Sequence, residues 1–156
     1  MTDAPATTRP PARPDFAALS GLEQMRALQA GVFPYHGIGH TLGFRLDEVA
    51  EGRVVFAGTP GPETYNPLGT VHGGYAATLL DSACGCAVHT RLAPGQGYTT
   101  LEIKVAYHRP MTADTGEVRA EGRVTQFGRR AAFTEATLTD AAGKLIASAT
   151  STLMVL

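Results

Sequence analysis

The sequence predicts an α+β fold in which a six-stranded antiparallel sheet curls around one long helix, and three observations predict it. Residues 72–92 contain no proline and are apolar nearly all round, the pattern of a helix wrapped by the rest of its domain. Four strand-like runs follow at regular spacing, separated by short turns that imply antiparallel hairpins. Two shorter strand candidates precede the helix, and one buried helix against such a sheet is an α+β arrangement.

Taken in order, residues 1–14 carry four prolines and no apolar run, and are expected to form a disordered tail before one domain spanning 15–156. Phe16, Leu19, Leu22, Met25 and Leu28 recur at a spacing near three, predicting an extra N-terminal amphipathic helix over 15–30, ended by Gly31 and Pro34. The pattern loosens over 36–49 and tightens over 52–57, giving two strands joined near Glu51-Gly52. Residues 58–69 hold three prolines, three glycines and an asparagine and read as a loop, long enough to suggest a functional role.

Within the helix, Gly73, Gly74 and Gly85 each oppose helix propensity by about 1 kcal/mol, which signals close backbone approach or special geometry. The later strands are expected over 98–108, 117–127, 130–139 and 144–155. In the first of them Leu101, Ile103, Val105 and Tyr107 alternate with Glu102, Lys104 and His108. Lys104 and Arg123, in mid-strand, read as surface or dimer-edge charges.

Composition narrows the function. A chain of 156 residues makes one domain, and 13 basic against 14 acidic residues leave no field to recruit nucleic acid. A surface so sparsely charged points to self-association. No stretch approaches the roughly 20 apolar residues of a membrane span, so no membrane partner and a cytoplasmic location are expected. Cys84 and Cys86 lie two apart on a helix, face away from each other, and read as small buried residues of a reducing compartment. His36 and His40 are four apart, but Gly37 and Gly39 argue against the helix a two-histidine site needs, and no metal is expected. Gly-x-Ser-x-Gly and Walker loops are absent, which removes serine-elbow hydrolases and P-loop nucleotidases.

The chemistry concentrates between Asn66 and Thr100. Amide groups in the first turn of a helix lack internal partners and carry partial positive charge, so Gly73 and Gly74 are placed to receive an oxyanion. Asp81 is the one carboxylate of the apolar helix. It is either a structural acid satisfied by Ser82, backbone or an arginine, or a general base or nucleophile at the edge of a cleft. Gly73 and Asp81 are eight residues apart, about 12 Å along one helix, too far to act on one carbonyl. Two helices packed antiparallel across a two-fold axis would bring Asp81 of one subunit to Gly73 of the other.

Asn66, His72-Gly73-Gly74, Asp81 nine residues after that histidine, and Tyr107-His108-Arg109-Pro110 together resemble the hotdog-fold acyl-CoA thioesterases, in particular the PaaI-like phenylacetate-degradation group. The resemblance runs from about residue 43 to 155 and takes in Gly128-Arg129-Arg130 and residues 140–147 of the last hairpin. It implies hydrolysis of aryl- or medium-chain acyl-CoA with Asp81 as catalytic carboxylate and Gly73 N–H as oxyanion donor. It further implies Asn66 placing water or the carbonyl from the opposite subunit, and Thr100 orienting the water. His72 would shape the loop-to-helix turn, with Gly74 beside it in the substrate-binding set. Coenzyme A enters only as part of the substrate, with no other cofactor, and the assembly implied is a homodimer with shared sites, paired into a homotetramer. Arg109, Arg129 and Arg130, at strand ends and a tight turn, are the candidates for its phosphates. The same architecture hosts nonenzymatic acyl-CoA-binding and sensing proteins, which form the alternative.

Overall fold

The computed structural model describes residues 15–33 and 37–156. The proline-rich stretch 1–14, the helix-ending Pro34 and His36 lie outside the described residues. The predicted N-terminal helix is two pieces. A 3-10 turn at Phe16–Ala18 stops at Leu19, and helix α1 (Gly21–Gln29) starts afresh. The break is made by a capping box: the Ser20 hydroxyl accepts from Glu23 N–H while the Glu23 carboxylate accepts from Ser20 N–H at 2.8 Å. Gln24 then bonds back to the carbonyls of Phe16 and Leu19 and ties the two pieces together.

A single helical turn, α2 (Ile38–Leu42), stands where the sequence suggested strand, despite its glycine. Gly39 is buried there against the Phe44 ring, and Gly43 ends the turn in the left-handed conformation at φ 68°. Strand β1 (Phe44–Ala50) turns at Glu51-Gly52 into β2 (Arg53–Gly58), as expected. A 3-10 turn (Pro62–Thr64) and a Tyr65–Val71 bridge organise the following loop.

Helix α3 (Gly73–His89) is shorter at both ends than its apolar run. It leads to β3 (Tyr98–Tyr107), β4 (Val118–Phe127), β5 (Ala131–Asp140) and β6 (Leu145–Val155). All pairings are antiparallel in the order β1-β2-β4-β5-β6-β3, so α3 carries the chain across the whole sheet and delivers β3 to the far edge.

Leu79, Leu80, Ala83, Cys84 and Ala87 of α3 are fully buried against Val54, Val118, Ala120, Leu138 and Ala147 of the sheet. β4 approaches α3 closely at Gly122, where a Cβ would lie 2.3 Å from the Ala83 carbonyl. The opposite face of β1, β2 and β4 carries ion pairs, with Arg53 bridging Glu48 and Glu121 at 2.8 Å each. Edge β1 is flanked by α1, whose Gln29 side chain donates to Asp47 O. Edge β3 pairs with β6 alone among the described residues. The expected alternation in β3 fails at Leu101: a bulge between Thr100 and Glu102 shifts the phase, leaving Leu101 57% exposed while Thr100, Ile103 and Val105 are half-buried. Lys104 and Arg123 are exposed, Arg123 paired with Glu121. Among the described residues no helix is long and apolar enough to cross a membrane.

Candidate active site

The start of α3 is built by its cap. His72 sits at the N-cap in extended conformation, and its Nδ1 accepts from Gly74 N–H at 2.8 Å. An imidazole nitrogen thus does what a serine or asparagine oxygen usually does. This corrects the expectation that both glycine amides are open to an oxyanion. Gly74 N–H is occupied and Tyr75 N–H goes to His72 O, whereas Gly73 N–H donates to nothing among the described residues. Gly73 alone therefore presents a free donor at the positive end of the helix dipole.

Glycine at position 73 lets a β3 side chain approach the helix closely. A Cβ there would stand 3.1 Å from the Tyr107 ring, and the Tyr107 hydroxyl donates to Gly73 O at 3.0 Å. The other internal glycine of the helix, Gly85, repeats the device: a Cβ would lie 2.6 Å from the Tyr98 hydroxyl. Two tyrosines at the two ends of β3 are thus seated on two glycines of α3, with Asp81 between them. Sequence reasoning named Tyr107 only as part of the motif ending β3 and Tyr98 only as the start of that strand, and gave neither a contact with α3, although the helical glycines pointed to close approach or special geometry there.

Asp81 is half-buried, and Thr100 Oγ1 donates to its Oδ1 at 3.1 Å. Of the partners considered for this carboxylate, neither Ser82 nor an arginine bonds it among the described residues; the β3 hydroxyl does. The β3 bulge contributes, because it turns Thr100 inward toward the helix. The structure therefore joins Asp81 and Thr100 in one chain, about 12 Å along the helix from Gly73.

Asn66 is spent largely on its own loop. Its Oδ1 accepts from Leu68 N–H at 2.9 Å and Thr70 N–H at 3.3 Å, and its Nδ2 donates to Thr70 Oγ1 at 3.0 Å. One Nδ2 hydrogen remains for a ligand. The loop is further fixed to the helix entrance by His72 N–H to Thr64 O and Val71 N–H to Met111 O.

Arg109 lines a cavity of about 310 Å³ together with Gly73, Ala76, Tyr107, His108 and Met111. Arg129 and Arg130 are exposed in the β4–β5 turn, beyond Phe127 and Ala132, which pack with Val88 near the other end of α3. A 17-residue helix is about 25 Å long, so one chain does not bring the three arginines together. Burial pushes both thiols up, Cys84 to about 11 and Cys86 to about 12; Cys84 is buried as expected, whereas Cys86 is only half-buried.

A family model described as the thioesterase superfamily matches residues 68–147, which contain all of α3 and β3. The chain is 36% identical over 106 residues to human acyl-coenzyme A thioesterase 13, covering 65% of this chain and 72% of that protein. It is 31% identical over 81 residues to the proofreading thioesterase EntH of Klebsiella pneumoniae, covering 52% of this chain and only 58% of the relative's length. Among solved structures, a thioesterase family protein of Silicibacter pomeroyi superposes with TM-score 0.74 at 29% identity, over 85% of this chain and 98% of that one. A variant of the phenylacetic acid degradation protein PaaI of Thermus thermophilus superposes with TM-score 0.67 at 32% identity, over 74% and 96%.

Proposed function

The chain belongs to the thioesterase superfamily, and from that premise we propose that it is an acyl-CoA thioesterase acting on aryl- or medium-chain acyl groups. The observation that carries the reading is the Asp81–Thr100 contact at 3.1 Å on the helix whose first turn holds the free Gly73 N–H. A carboxylate held by a hydroxyl and a bare backbone donor are the two elements thioester hydrolysis needs.

In the reaction proposed, a water oxygen attacks the thioester carbon and Asp81 takes its proton, with Thr100 orienting the pair. The carbonyl oxygen gathers negative charge against Gly73 N–H. The carbon–sulfur bond then breaks, releasing the free acid and the thiol of coenzyme A once sulfur is protonated. Direct attack by Asp81 would give a mixed anhydride that water opens to the same products. Asp81 and Gly73 of one chain are too far apart for either route, so the site is shared: Asp81 and Thr100 from one subunit, Gly73 and Asn66 from its partner. The open edge of β3 supports such a homodimer. Antiparallel helices would also carry Arg129 and Arg130 of one subunit toward the end where its partner presents Arg109, assembling a phosphate-binding edge from both. Exposed Phe133, on the sheet face turned from α3, offers a surface on which two dimers pair into a tetramer.

Thiol release from a panel of aryl- and straight-chain acyl-CoAs, run beside Asp81→Ala and Asp81→Asn, tests this. Turnover in the unaltered chain that is lost in both folded variants is expected. Binding without turnover across the panel would favour the sensing alternative, and unchanged turnover in the variants would remove Asp81 from the mechanism.

A further inference from the structure

The first two residues of α3 are Gly73-Gly74, the most pliable dipeptide a helix can start with, and an amide that must meet a developing charge works best when it does not have to reorganise. Two clamps act on this dipeptide from outside the helix backbone. His72 Nδ1 holds Gly74 N–H at 2.8 Å, and the Tyr107 hydroxyl holds Gly73 O at 3.0 Å. The Tyr107 ring also covers Gly73 so closely that a methyl group would not fit without displacement, its carbons lying 3.1 and 3.2 Å from the Cβ position.

Tyr107 is itself held. It pairs with Ala147 in the sheet, and the next two amides, His108 N–H and Arg109 N–H, both donate to Ile146 O. Yet Tyr107 is 56% exposed and faces the cavity beside Gly73, so core packing does not account for it. We propose that Tyr107 is a positioning residue that fixes Gly73, through its carbonyl and its Cα, so that the one free amide of the helix start points into the cavity. This inference rests on the thioesterase reading, because it assigns Tyr107 to the transition state of that reaction and not to substrate binding.

The test compares Tyr107→Phe, Tyr107→Ala, Gly73→Ala and the double variant Gly73→Ala/Tyr107→Ala, each checked for a native melting curve. Readouts are kcat, KM and the affinity for a thioether acyl-CoA analogue, which lacks the carbonyl and so does not use the amide. Tyr107→Phe keeps the ring and loses the bond to Gly73 O; kcat is expected to fall roughly three- to tenfold, with KM and thioether affinity within about twofold. Tyr107→Ala should fall further. Gly73→Ala should lower kcat in the native background but add little to Tyr107→Ala, because the ring it collides with is gone.

Full kcat in Tyr107→Phe, a loss carried by KM and matched by weaker thioether binding, or strict additivity of the pair would each overturn the assignment while leaving the thioesterase reading intact. Absence of turnover in the unaltered chain would remove the thioesterase reading, and this inference with it.

Discussion

Replacing Gly122 by alanine should destabilise the protein and disable the candidate site together. The added Cβ would stand 2.3 Å from both the carbonyl carbon and oxygen of Ala83 and 2.9 Å from Cys84 N, all backbone atoms of α3. Ordinary contact begins near 3.4 Å, so helix and β4 must separate by about 1 Å, and no flexible side chain can yield instead. Overpacking of this kind costs about 1–3 kcal/mol, and a backbone-to-backbone collision belongs at the upper end. The lower unfolded-state entropy of alanine returns about 0.4–1 kcal/mol, leaving a net loss near 2 kcal/mol. At about 2–4 °C per kcal/mol for a chain this long, the melting temperature drops by about 4–8 °C. Ala83 is two residues beyond Asp81, so the same displacement strains the 3.1 Å bond from Thr100 and should cost turnover even below the melting point. Thermal denaturation by circular dichroism, with Gly97→Ala as control because its nearest atom is 3.9 Å away, makes the comparison. A Gly122→Ala protein that melts with the control would refute the reading that α3 and β4 pack too closely at Gly122 to admit a side chain.

His72→Ala removes the N-cap and is expected to cost about 0.5–2 kcal/mol, whereas His72→Asn, which offers a side-chain oxygen to Gly74 N–H, should recover most of it in urea denaturation. Tyr75 has a buried hydroxyl without a hydrogen-bond partner among the described residues, raised to about 12 by burial and, less strongly, by the charge of Glu63. Its proton leaves the unfolded chain near pH 10 and the folded chain near 12. Tyrosine-linked stability is therefore complete below pH 10 and is lost as pH rises through 12, by up to about 3 kcal/mol. Tyr75→Phe should flatten that decline and leave the pH 7 midpoint unchanged or higher. Because Cys84 is fully buried and burial pushes its thiol up to about 11, it should not react with a disulfide reagent at pH 8 until denaturant is added, and labelling of a native Cys86→Ser protein within seconds would contradict this.

The legibility of the sequence was uneven for physical reasons. Helix α3 and strands β3 to β6 were readable because their patterns run long without proline and the turns between them are short. The break at Ser20 was not, because Phe16, Leu19, Leu22, Met25 and Leu28 keep one spacing across it; the Ser20-to-Glu23 capping box was the available signal. The bulge after Thr100 was invisible to alternation, since Leu101 fits the apolar phase and only the pairing with β6 shows it displaced. In the site, the position of Asp81 inside an apolar helix marked it from composition alone, while its bond to Thr100 depended on strand placement. The loss of Gly74 as a donor could not be read, because histidine is not a usual N-cap. The separation of Arg109 from Arg129 and Arg130 followed from strand order, which brings those turns to opposite ends of α3.

The two tyrosine seats also bear on how such a chain can change length. Tyr98 on Gly85 and Tyr107 on Gly73 fix α3 and β3 against each other at two points, like two pins through two plates. One residue inserted or deleted between the pins of either element would rotate or flip every position beyond it, unseating one tyrosine and parting Thr100 from Asp81. Length changes are therefore expected to be tolerated at residues 90–97 and 112–117, outside the pins and the anchors at 108–111, and not within 73–85 and 98–107. The number of residues in these two segments is then as much a part of the site as the identity of any side chain within them.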